Sequence, residues 1–137
     1  MDYYAKITKS DECFLVSFPE FPNINTYGET LEEALSNASE ALNGCLESDF
    51  ERGFTLPKSK IHRGKTFHRV SVIPHIEIAY NLKKLRKNQS QVEIARKLGI
   101  SYQAYQKLEN PRKCNPTIKT LEKIGKVLGK ELEIHFA

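Results

Sequence analysis

The chain opens on alternation. In Tyr3-Tyr4-Ala5-Lys6-Ile7-Thr8, positions 3, 5 and 7 share one face, and in Glu12–Phe18 the residues Phe14, Val16 and Phe18 do the same. A period of two marks a half-buried strand. Ser10-Asp11 is polar and turn-prone, so the pattern predicts a hairpin. Phe18-Pro19-Glu20-Phe21-Pro22 interrupts the ladder, because each proline lacks an N–H donor. A third short strand over Ile24–Tyr27 then ends at Gly28. The period changes at Thr30, which with Glu33 forms a capping-box pattern. Leu31, Ala34, Leu35, Ala38, Leu42, Cys45 and Leu46 follow at helical spacing and predict one apolar face. Gly44 inside this run costs about 1 kcal/mol relative to alanine, too little to break the helix. Gly53 is the expected stop, and Leu56-Pro57 leads into a basic loop from Lys58 to Lys65. Alternation resumes from Phe67 to Ile73 and ends at Pro74. Strand, strand, short strand, helix, strand is the order of a small antiparallel sheet with one helix laid across a face.

From residue 74 onward the pattern is helical. Ile76–Lys87 places Ile78, Leu82 and Leu85 inward and Lys83, Lys84, Arg86 and Lys87 outward. Ser90 and Glu93 form a second capping box, ahead of inward Ile94, Ala95 and Leu98. Gly99 suits a left-handed stop, Ile100 plugs the core, and Ser101 caps a helix whose inner face is Tyr105 and Leu108. Asn115-Pro116 is expected to open the next helix with proline at its first position. Its stripe is Ile118, Leu121, Ile124, Val127 and Leu128, ended by Gly129. Lys130–Phe136 alternates again, with Leu132, Ile134 and Phe136 on one face of a predicted C-terminal strand. Such a strand either docks on its own domain or pairs with its copy in a second chain, and a homodimer is the expectation. The fold class is therefore α+β, with domains at 1–73 and 74–137.

Charge divides the chain. Residues 1–57 carry three basic and eleven acidic groups, a net of −8, and residues 58–137 carry eighteen basic and six acidic, a net of +12. The basic half suits phosphates, and the acidic half suits a basic protein. No run of eighteen apolar residues occurs, and MDYYAKITKS lacks the basic flank and apolar stretch of a signal peptide, so a cytoplasmic protein is expected. Cys13, Cys45 and Cys114 are too scattered for a disulfide framework or zinc site. His62, His68, His75 and His135 show no ligand spacing, so no metal and no cofactor is expected. Asp2, Asp11 and Glu20 read as solvated surface rather than a carboxylate cluster, and no enzyme is expected.

Two resemblances follow from these residues. Phe14-x-Val16-x-Phe18-Pro19-x-Phe21-Pro22, then Tyr27-Gly28-Glu29-Thr30-x-Glu32-Glu33-Ala34, then Leu56-Pro57, resembles the HicB antitoxin family over residues 3 to about 73. The resemblance implies a partial ribonuclease H-like fold without the full carboxylate set, neutralisation of a small HicA ribonuclease toxin, and repression of its own operon. Ser90-Gln91, Glu93-Ile94-Ala95, Leu98-Gly99-Ile100-Ser101 and Leu108-Glu109-Asn110 resemble the phage-repressor type of helix-turn-helix. Pro111 stands where that pattern often has glycine, which singles out the turn there.

In a helix-turn-helix the N-terminal end of the second helix faces base edges. Ser101, Tyr102, Gln103, Gln106 and Lys107 are its outward residues. Gln103 suits adenine and Lys107 suits guanine, while Tyr102 suits a thymine methyl or sugar. The resemblance gives Gln91 a phosphate contact, which a helix N-terminus favours, and Arg112 and Lys113 are placed to grip the backbone beyond. An antitoxin and autorepressor is the leading reading. A ligand-sensing repressor without a toxin is the alternative, and a ribonuclease H-like enzyme comes third.

Overall fold

The computed structural model describes residues 1–136 and divides into two compact units, Met1–Pro74 and His75–Ala137. In the first unit, β1 (Asp2–Lys9), β2 (Phe14–Phe18) and β3 (Phe21–Gly28) precede the long helix α1 (Leu31–Glu51), and β4 (Phe67–Ser71) follows it. The four strands form one antiparallel sheet in the order β3-β2-β1-β4. Alternation decides which face is covered. Tyr3, Ala5, Ile7, Val16 and Val70 point to one side and are buried, as are Ala34, Ala38, Leu42 and Leu46 of α1. The Tyr3 and Phe21 rings meet edge to face at 4.9 Å in this core.

Local chemistry fixes the ends of α1. The Thr30 hydroxyl accepts from the Glu33 N–H at 3.1 Å, satisfying one orphan donor of the first turn. Gly53, at φ +80°, lies just past the last turn, and its N–H donates to Phe50 O while that of Phe54 donates to Asp49 O. Gly28 lets the helix start lie against the sheet, since a Cβ there would sit 2.3 Å from the Ala34 nitrogen.

The fourth strand stops at Ser71, short of the expected Ile73. The third strand is longer than Ile24–Tyr27, because it starts at Phe21 and contains Pro22. β3 is an edge strand, so a missing N–H there can face solvent rather than a ladder partner. Position 43, outside the expected stripe, is buried: Asn43 is only 4% exposed. Its Oδ1 accepts from the Ile73 N–H at 2.9 Å and its Nδ2 donates to Ser39 O at 2.9 Å. It thereby satisfies backbone just beyond β4, where the ladder has ended.

The second unit is helical: α2 (Pro74–Arg86, beginning one residue before the unit boundary), α3 (Gln91–Leu98), α4 (Tyr102–Leu108) and α5 (Ile118–Leu128). Leu82, Ile94, Ala95, Tyr105, Leu108 and Ile124 form its core, with Ile78, Leu98, Ile100, Val127 and Leu128 packed against it. Ile76 and Ala79 are the other buried residues of α2, whereas Leu85 is half-buried. α5 is capped by Thr117, whose hydroxyl accepts from the Thr120 N–H at 3.1 Å. Pro116 is thus outside the helix and not its first residue, because a hydroxyl cap satisfies an amide that proline would merely delete. Ile118 is 58% exposed and does not join the core.

The predicted C-terminal strand is not formed, since residues 130–136 are irregular. Among the described residues this segment has no ladder partner. It turns back after Gly129 (φ +70°) and passes close over Gly125, where a Cβ would lie 2.8 Å from Lys130 O. Ile134 is 53% exposed and Phe136 98% exposed. An open groove of about 450 Å³ is lined by Ile118, Glu122, Lys126, Leu132 and Ile134.

The charge border also moves. The basic loop from Lys58 to Lys65 belongs to the first unit, which carries eight basic and eleven acidic groups, against thirteen and six in the second. No helix among the described residues is long and apolar enough to cross a membrane.

Candidate nucleic-acid interface

α3 and α4 are two short helices around a tight turn. Ser90 caps the first by accepting from the Glu93 N–H at 3.1 Å, and Ser101 caps the second by accepting from the Ala104 N–H at 3.1 Å. Gly99 joins them at φ +71°, its N–H closing the end of α3. Ile100 then enters the core.

α4 is held by Tyr105, fully buried, and Leu108. On a helix the positions opposite 105 and 108 are 103, 106 and 107, with 102 at the margin. Gln103, Gln106 and Lys107 are accordingly exposed, and Tyr102 is 39% exposed. Four of the expected contact residues therefore share one outward surface. Ser101 lies at its N-terminal end with its oxygen engaged in the cap, leaving the hydroxyl proton as its donor. Arg112 and Lys113 are exposed on the turn beyond α4.

That turn accommodates proline without glycine. Asn110 Oδ1 accepts from the Arg112 N–H at 2.9 Å, and its carbonyl accepts from the Cys114 N–H at 2.8 Å. Pro111 is fully buried, so its missing donor leaves nothing unsatisfied.

The helices are tied together by a buried charge pair, and Arg86 is not outward as expected. Its Nε donates to Glu109 Oε2 at 2.7 Å and its Nη2 to Oε1 at 3.0 Å, a bidentate pair. Nη1 also donates to Gln89 O at 2.8 Å. The side chains are only 17% and 4% exposed. Gln91 Nε2 donates to Glu109 Oε1 at 3.2 Å, so the residue expected at a phosphate is oriented by the same carboxylate. Burial alone would raise the Glu109 pKa, but Arg86 first, then the neighbouring Tyr105 hydroxyl and Gln91, outweigh it and hold the carboxyl below its ordinary value. The Tyr105 hydroxyl is buried beside the pair and meets no partner with hydrogen-bond geometry among the described residues. Its pKa is pushed up by burial first and by Glu109 second. Glu109 stood in the sequence as a motif letter; its pairing with Arg86, 23 residues away, had no sequence signal.

The geometry defines a class: a helix-turn-helix module joined to a separate sheet-and-helix unit. A helix-turn-helix family model matches residues 82–134, and the model described as the HicB-like antitoxin of bacterial toxin-antitoxin systems matches residues 2–77. The chain belongs to the HicB-like antitoxin family. It is 29% identical over 134 residues to Antitoxin HicB 2 of Photorhabdus laumondii, covering 98% of this chain and 95% of that one. It is also 29% identical over 136 residues to Antitoxin HicB of Escherichia coli K12, covering 98% of each. Among solved structures, the N-terminal domain of Burkholderia pseudomallei antitoxin HicB aligns at a TM-score of 0.48 and 25% identity, over 53% of this chain and 99% of that one.

Proposed function

We propose that this protein is the antitoxin of a type II toxin–antitoxin system. The first unit binds and neutralises a HicA-like mRNA-cleaving toxin, and the second represses the protein's own operon by holding operator DNA. The chain acts in the cytoplasm by binding alone, with no reaction and no cofactor of its own. The observation that carries the reading is the HicB-like unit and the helix-turn-helix in one chain, the latter presenting an outward polar face on α4.

Residue roles follow from placement. Gln103 and Lys107 read bases, Tyr102 and Gln106 flank them, and Ser101, Gln91, Arg112 and Lys113 contact the backbone. The acidic α1 side of the first unit faces the toxin's basic surface. Two chains pair through Leu132, Ile134 and Phe136; the exposure of Ile134 and Phe136 in one chain supports a partner there, and the pairing supplies the two half-sites such modules use.

Operator binding by Gln103→Ala tests the base contact. The variant should lose about 1–3 kcal/mol and relax sequence preference at one position. Unchanged affinity and preference would remove Gln103 from the site.

A further inference from the structure

The first unit has a second surface that neutralisation of a basic toxin does not use. α1 covers only one face of the sheet. Register places Tyr4, Lys6, Leu15 and Tyr27 on the other, along with Phe67 and Arg69, the cross-strand partners of Lys6 and Tyr4. Leu15 is 49% and Tyr27 59% exposed.

The basic loop is pinned beside this face. The Tyr3 hydroxyl donates to Pro57 O, Ser59 Oγ donates to Asp2 O, and the Ile7 N–H donates to Thr66 O. His62 stacks on Phe67 at 5.0 Å, meets Tyr4 edge to face at 6.5 Å, and bonds Glu20 at 2.8 Å. The loop is irregular in backbone but held at Ser59 and His62 and at its flanking residues Pro57 and Thr66. Lys58, Lys60, Arg63 and Lys65 are all exposed, and none meets an acid among the described residues. On the sheet itself Arg69 lies 3.8 Å from Asp2.

We propose that the sheet face opposite α1, where Leu15 and Tyr27 remain exposed, together with the Lys58–Lys65 strip, binds single-stranded nucleic acid. Fixed cations track a phosphate backbone, and binding releases its counterions. The exposed Tyr27 ring on this face can stack an unpaired base, which a duplex does not offer. A basic partner is excluded by charge. A polar protein surface would leave Tyr27 without a planar counterpart.

Anisotropy with a labelled mixed-sequence RNA strand, the equivalent DNA strand and a duplex tests this on the full chain. Lys60→Glu with Arg63→Glu should weaken both single strands by at least about tenfold and flatten the salt dependence, with operator affinity unchanged. Tyr27→Ala should weaken the strands without flattening it. Gln103→Ala with Lys107→Ala should do the reverse of the strip variant, losing operator and keeping the strands. A preference between RNA and DNA strands identifies the natural ligand, and either satisfies the proposal. Single-strand binding indifferent to Lys60 and Arg63, or lost with the α4 variant, overturns it. So does self-association that those lysine and arginine changes abolish while no strand binds, which would assign the face to the acidic α1 of a second copy.

Discussion

Replacing Glu109 by alanine should unfold the second unit under conditions where the first stays folded. The carboxylate is 4% exposed and receives both Arg86 bonds and the Gln91 bond. Without it, a guanidinium only 17% exposed keeps a single carbonyl partner, Gln89 O. Breaking a buried pair from one side costs about 3–5 kcal/mol, because the surviving charge is stranded away from water. A unit of this size, His75–Ala137, has a total stability of roughly 3–9 kcal/mol. The loss is therefore comparable with everything that holds the unit together. Urea unfolding followed by circular dichroism should show the helical transition moving to low denaturant or vanishing. Arg86→Met with Glu109→Leu removes both charges and should recover most of the loss, since a hydrophobic replacement of a buried pair is commonly close to neutral. A Glu109→Ala transition within about 1 kcal/mol of the parent would refute the reasoning, by showing that Arg86 reaches water easily.

The remaining predictions concern the same interactions and the first unit. Glu109 has a depressed pKa in the folded state, so its contribution is complete above its ordinary value of 4.5 and lost as pH falls through the folded value. Acid unfolding of the second unit should therefore steepen below pH 4.5, and Glu109→Gln should lack that component. Asn43→Leu leaves the Ile73 N–H without its acceptor and should cost about 1–3 kcal/mol in the first unit's urea midpoint. Gly28→Ala drives a Cβ to 2.3 Å from the backbone of Ala34 and should cost about 1–3 kcal/mol by the same measurement; an unchanged midpoint would mean α1 shifts freely on the sheet.

What the sequence revealed follows from what periodicity and capping encode. Thr30, Ser90 and Ser101 cap through contacts three residues away, and Gly53, Gly99 and Gly129 end or follow helices by local backbone freedom. Such features are local and were legible. Pairings between distant positions were not. Arg86 looked like one more outward cation among Lys83, Lys84 and Lys87 until Glu109 was placed beside it. Asn43 fell outside the apolar stripe because its role is to satisfy backbone 30 residues away. Pro22 seemed to break the sheet because strand order, which makes β3 an edge, is not written in any window. The C-terminal alternation gave a strand propensity, but a strand needs a partner and the described residues of one chain supply none. The outward set on α4 could be read directly, because Tyr105 and Leu108 fix its phase. The basic platform on the first unit needed the strand register before its residues could be put on one face.

The central claim is a division of labour, and calorimetric titration of a HicA-like toxin into residues 1–74 alone tests it most directly. The account predicts binding with the affinity of the full chain, and no binding to residues 75–137. Toxin binding confined to residues 75–137, or absent from both pieces while the intact chain binds, would contradict it.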